Sequence, residues 1–127
     1  TLKKTIDEHG FDALVILDSA NVGTKPDLEL WLFNVAPATQ ADNGACAFTD
    51  AELAALVGII AIPTASWKVG NAGAGAAGNA NQAVLNIGML YKCAAADANL
   101  YGQLVIRNAY VPVSGESFTV ALMATLD

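Results

Sequence analysis

His9 is the sole histidine of the chain, and that count removes most of the chemistry open to a small domain. A zinc site built on several histidines is out of reach. Ser19, Ser66, Ser114 or Ser117 would need His9 as a base to become a nucleophile, and no Gly-x-Ser-x-Gly turn presents any of them. The carboxylates fall in small groups: Asp7-Glu8 and Asp12 near the start, Asp50 with Glu52, and Asp18, Asp27 and Asp97 beside turns. Turns suit Asp because its side chain bonds nearby backbone amides. Asp50 and Glu52 suit a helix start, where the dipole favours anions. A calcium loop needs oxygen ligands at alternating positions, and Asp97-Ala98-Asn99 offers two at most. Gly73 to Gly78 spells GxGxxG, but that motif binds a pyrophosphate only between a strand and a helix. Here Asn79-Ala80-Asn81-Gln82 and an alternating apolar segment follow it. No nucleophile, base and orienting group can be assembled, so no enzyme, cofactor or metal is expected.

What remains is recognition. Trp31, Phe33, Trp67, Tyr101 and Tyr110 are many large rings for 127 residues. Most such rings are core, yet in a chain 54% hydrophobic and 14% charged some are expected at contacts between proteins. Arg107, the sole arginine, is an anchor candidate if it lies at an interface. The net charge of −6, with Lys3-Lys4 as the only adjacent basic pair, argues against nucleic acid. The mean hydropathy of +0.43 excludes a disordered chain. The longest apolar run, Leu53 to Ile62, stops at Pro63 after ten residues, short of the roughly 20 that a membrane helix needs. No basic segment leads into a long apolar stretch, so no signal peptide is expected. The opening Thr1 points to a processed or partial chain. Cys46 and Cys93 form no CxxC pair; disulfide, free thiols and core packing stay open, with burial expected first.

The elements that would position these residues are strands. Ala13 to Leu17 (ALVIL) reads as a fully buried strand, and Asp18 to Gly23 supplies turn chemistry ahead of Pro26. In Leu28 to Phe33 the leucines face one side, Trp31 and Phe33 the other. Pro37 to Gly44 is a polar loop. Thr49 and Glu52 form a capping box for one short helix near 50–57, ended by Gly58. Ile59 to Ile62, and Ser66 to Val69, read as strands around Pro63, and Gly70 to Gln82 as a long surface loop. Alternation then dominates through Leu85 to Cys93, Leu100 to Ile106 and Phe118 to Leu126, with turns at Asp97-Ala98-Asn99 and Val113 to Glu116. Seven to eight strands with one short helix predict an all-β, antiparallel β-sandwich, jelly-roll-like, in a single domain.

Several stretches resemble the small capsid decoration, or cement, proteins of tailed-bacteriophage heads. They are Leu17 to Asn21 (LDSAN), Lys25 to Phe33 (KPDLELWLF), Phe48 to Leu53 (FTDAEL), Ile62 to Gly70 (IPTASWKVG) and Leu100 to Tyr110 (LYGQLVIRNAY), with a short acidic end at Thr125-Leu126-Asp127. Relatives look longer at the N-terminus, with an extra β segment. The resemblance implies a non-enzymatic virion protein on the outer surface of the capsid head. It would bind the phage major capsid protein, clamp neighbouring subunits, and self-associate as a homo-oligomer, a trimer first. It also divides the chain into an N-terminal arm or edge segment, residues 1–12, and a sandwich, residues 13–127. The expected interface comprises Thr1, Leu2, Lys3, Lys4, Thr5, Ile6 and His9 of the polar start, Trp31 and Phe33 against a sister subunit, and Arg107. A tail or baseplate sandwich, structural or glycan-binding with Trp31 or Trp67 as stacking platform, is the alternative.

Overall fold

The ALVIL run lies inside a strand longer than its apolar stretch, β1 (Glu8–Asp18). It is followed by β2 (Leu28–Phe33), helix α1 (Asp50–Leu53), β3 (Leu56–Ile62), a 3-10 turn (Thr64–Ser66), β4 (Trp67–Lys68), β5 (Gln82–Lys92), β6 (Tyr101–Ile106) and β7 (Phe118–Thr125). These come from a computed structural model that describes residues 8–20, 22–41, 44–68, 82–92 and 99–125. The strands form a four-stranded sheet, ordered β4-β5-β1-β7, and a three-stranded sheet, ordered β3-β2-β6. All their pairings are antiparallel. The chain is thus the antiparallel β-sandwich that the alternation predicts.

The expected boundary between arm and sandwich moves. Residues 8–12 belong to β1, an interior strand, with Glu8 opposite Lys92 and Phe11 opposite Met89. The ladder shifts register between Phe11 and Ala13. A bulge changes the phase of the alternation, so Phe11, Leu14 and Ile16 all turn inward and are buried. The Phe11 ring stacks on Tyr91, centroids 4.3 Å apart. A three-residue step from Phe11 to Leu14 breaks the period of two, which is why this segment reads as an arm in the sequence.

Leu28, Leu30 and Leu32 of β2 face Leu14 and Ile16 across the core, joined by Ile60, Ile62, Trp67 and Ala83. The helix is shorter than expected. Thr49 caps it and Glu52 returns the bond to the cap backbone, but β3 starts at Leu56 and takes in Gly58. The β-branched residues Val57, Ile59, Ile60 and Ile62 favour strand over helix. Gly58 has a packing role: a Cβ there would fall 2.2 Å from the sulfur of Met89, so its absence lets β3 approach β5 across the sandwich.

One end of the core is polar. The Asp18 carboxylate accepts from the Ala20 amide (2.8 Å) and from Lys25 Nζ (2.6 Å). Lys25 Nζ also donates to the Ala20 carbonyl (3.0 Å) and sits 5.6 Å from the Trp67 ring centroid. The Lys25 and Asp18 side chains are 3% and 0% exposed. Trp67 Nε1 donates to the Pro26 carbonyl (3.1 Å). This knot ties together the crossing from β1 to β2, where the sequence predicts a turn stabilised by Asp18.

Candidate functional site

The outer face of the three-stranded sheet carries Trp31 and Phe33, expected at a contact with a sister subunit. The structure corrects this for Phe33, which is 0% exposed within its own protomer. Residues 34–41 and 44–48 of the long connection bring Phe48 over it, with centroids 4.9 Å from Phe33 and 5.2 Å from Trp31. Glu52 holds that cover down. Its carboxylate accepts from the Ala38 amide (2.6 Å), the Thr49 amide (2.7 Å) and the Thr49 hydroxyl (2.9 Å). The bond from the Thr49 amide, then that from Ala38, keeps Glu52 below its ordinary carboxylate pKa. The capping-box glutamate therefore also anchors the cover of the sheet.

Trp31 remains half-buried at the edge of this cover. One oxygen of Glu29 accepts from Trp31 Nε1 (2.8 Å) and Arg107 Nε (2.8 Å) and pairs with Arg107 Nη2 (2.8 Å). The Arg107 guanidinium lies 5.7 Å from the Trp31 ring centroid. The Arg107 hydrogen bond, with that from Trp31, lowers the Glu29 pKa. Arg107 and Trp31, separate interface candidates in the sequence, thus lie together, with the guanidinium already paired to Glu29. Beside them runs a groove of about 650 Å³, lined by Gln40, Cys46, Gln103 and Tyr110 among others. Cys46 is an exposed free thiol, contrary to the expected burial, because it belongs to the covering connection and not to a strand. Trp67 is buried, so it offers no platform for a sugar.

The four-stranded sheet differs. No described element covers its outer face. In the antiparallel ladders, Val84, Val15 and Ala121 form one row; Asn86, Ala13 and Met123 form the next; Leu17 lies opposite Thr119. Val84 is 59% exposed, Met123 53%, Leu17 46%, and Leu90, further along β5, 69%. The first two rows carry no charge, and the row of Leu17 ends on β4 at the exposed Lys68, opposite Gln82. The expectation that ALVIL is buried on both sides fails here: Leu14 and Ile16 are buried, while Leu17 faces outward. The sequence reading missed Leu17, Val84, Leu90 and Met123. The available signal was that the positions between the inward residues of β5 and β7 hold Val, Leu and Met where a wetted face would hold charges.

A second apolar feature, about 450 Å³, opens between the sheets on the β6–β7 side, lined by Leu30, Leu32, Leu104, Val120 and Leu122 among others. In the connection between β6 and β7, Tyr110 donates to the Glu116 carboxylate. Burial, then that bond, raises the Tyr110 pKa well above its ordinary value. Among the described residues no three His, Cys, Asp or Glu side chains gather as for a metal ion. No helix among them is long and apolar enough to cross a membrane. His9 enters β1 through its backbone. Thr1 to Ile6, Cys93, and the glycine motif at 73–78 lie outside the described residues. Comparison of the chain with protein-family models, curated proteins and solved structures found no match.

Proposed function

We propose that this protein is a non-enzymatic virion structural protein, a decoration protein that binds the outer surface of a phage capsid and stabilises contacts between major capsid protein subunits. The observation that supports this best is the outer face of the four-stranded sheet, which no described element covers, with Leu17, Val84, Leu90 and Met123 exposed. Faces of this kind mark surfaces that assembly buries. The sequence resemblance supplies the identity of the assembly. A protein that binds only the assembled lattice stabilises it by mass action, and many repeated weak contacts sum through multivalency. The half-exposed corner of Trp31, Glu29 and Arg107, together with Thr1 to Ile6, is the proposed contact with the capsid protein, and the protein acts as a homo-oligomer.

The test is copy number, read by quantitative mass spectrometry of purified particles against the major capsid protein. A ratio near one, or a simple fraction of it, supports a lattice-wide decoration protein. A few dozen copies would reassign it to the tail or baseplate, and absence from particles would discard the reading.

A further inference from the structure

We propose that the outer face of the four-stranded sheet is closed by the same face of a second copy of this chain, forming a two-fold dimer. The inference deepens the assembly reading above, on which it rests, by naming what covers that face. Three properties of the face single out this occupant.

The first is charge. The chain carries a net charge of −6, so two copies repel wherever their charged surfaces meet. The central rows, of Val84, Val15 and Ala121 and of Asn86, Ala13 and Met123, contain no ionisable group, while Lys68, at the β4 end of the row of Leu17, and Asp12, at the bulge of β1, flank them. A copy centred on those two rows therefore approaches without desolvating a charge. The second is symmetry. A two-fold contact buries the same patch on both partners and must be complementary to itself. A regular sheet of small and medium aliphatic side chains meets this condition, because two such faces pack about 10 Å apart with strands nearly aligned. A threefold contact would instead set this face against a different surface of the neighbour. Met123, at the rim, is the side chain best able to adapt to the fit.

The third is area. β1 and β5 have 11 residues each and β7 has 8. At about 4.8 Å between strands and about 3.3 Å per residue, three such strands present on the order of 500 Å². Two copies then bury on the order of 1,000 Å², the lower bound for a specific interface. An interface at that bound belongs with weak, transient contacts, and the dimer has an expected Kd of about micromolar order, so it forms at high local concentration, as when copies crowd on one surface.

Sedimentation equilibrium of the full chain, from about 1 to about 200 µM, brackets such a Kd. The expected mass rises from 13.0 kDa toward twice that value. Val84→Lys combined with Met123→Lys places ammonium groups in the contact and raises Kd at least about 100-fold; circular dichroism verifies that this variant keeps its strands. Val111→Lys, at a position 87% exposed outside the sheet, dimerises like the parent. A parent that stays monomeric, a trimer, or a dimer that survives the double substitution would each overturn the proposal. Particle copy number separates this from the functional reading: a face-dependent dimer missing from particles upholds the dimer alone, and a monomer that coats particles upholds decoration alone.

Discussion

Replacing Lys25 by Met tests whether the Asp18–Lys25 knot holds the end of the sandwich. Met roughly matches the lysine stem, so the main loss is the ammonium group. That group donates to Asp18 at 2.6 Å and to the Ala20 carbonyl at 3.0 Å, and it faces the Trp67 ring. The Asp18 side chain is 0% exposed, so its orphaned oxygen has no route to water. Removing one partner of a buried ion pair costs about 3–5 kcal/mol. In a domain of this size each kcal/mol moves Tm by roughly 4 °C, so Tm falls by about 12–20 °C. The companion variant is Asp18→Asn with Lys25→Met. It keeps an oxygen to accept from the Ala20 amide (2.8 Å) but carries no buried charge, and it recovers most of the loss. Urea unfolding followed by tryptophan fluorescence measures both, with Trp67 beside the pair as reporter, provided m is unchanged. A Lys25→Met protein within about 1 kcal/mol of the parent would refute the reasoning, since breaking a buried pair costs more. So would a double variant no more stable than the single one.

Gly58→Ala forces Met89 aside and lowers stability by about 1–3 kcal/mol; Met89→Ala in the same background restores part of it, read as a coupling energy in thermal denaturation. Phe33→Ala costs about 3–5 kcal/mol and leaves the association constant of the folded fraction unchanged, because the ring lies under Phe48 and not at a subunit contact. Glu29, whose ordinary value is 4.5, is held lower by Arg107 and Trp31. Its ion pair therefore contributes stability above that ordinary value and loses it as acid carries pH through the depressed one. Arg107→Met should move the carboxyl titration of Glu29 upward by NMR.

The parts of the fold legible in the sequence are those set by local chemistry. Leu28, Leu30 and Leu32 keep a strict period of two and are the residues of β2 buried in the core between the sheets. Thr49 and Glu52 specify their cap within four residues. Phe11 was hidden because a bulge shifts its phase, and a bulge is settled by two partner strands distant in sequence. Phe33 has the same alternation signal as an exposed ring; only Phe48, 15 residues on, makes it core. The outward apolar face of the four-stranded sheet was harder still. Apolar residues facing outward are written in the same letters as those facing inward, so a run such as ALVIL reads as doubly buried until the partner of each face is known.

The central place of β1 has a consequence for synthesis. Among the described strands, the first to emerge must wait for the last: Leu17 pairs with Thr119, which follows about 100 residues later, or roughly 5–20 s at ordinary rates of translation. Until then Leu14, Val15, Ile16 and Leu17 have a neighbour on one edge at most, β5, which pairs with them from Leu85 to Gln82 and is made before β7. Contacts so distant in sequence close slowly. The nascent chain thus spends seconds with one edge of an apolar strand open, and the yield of folded protein depends on keeping that edge from other copies until β7 arrives.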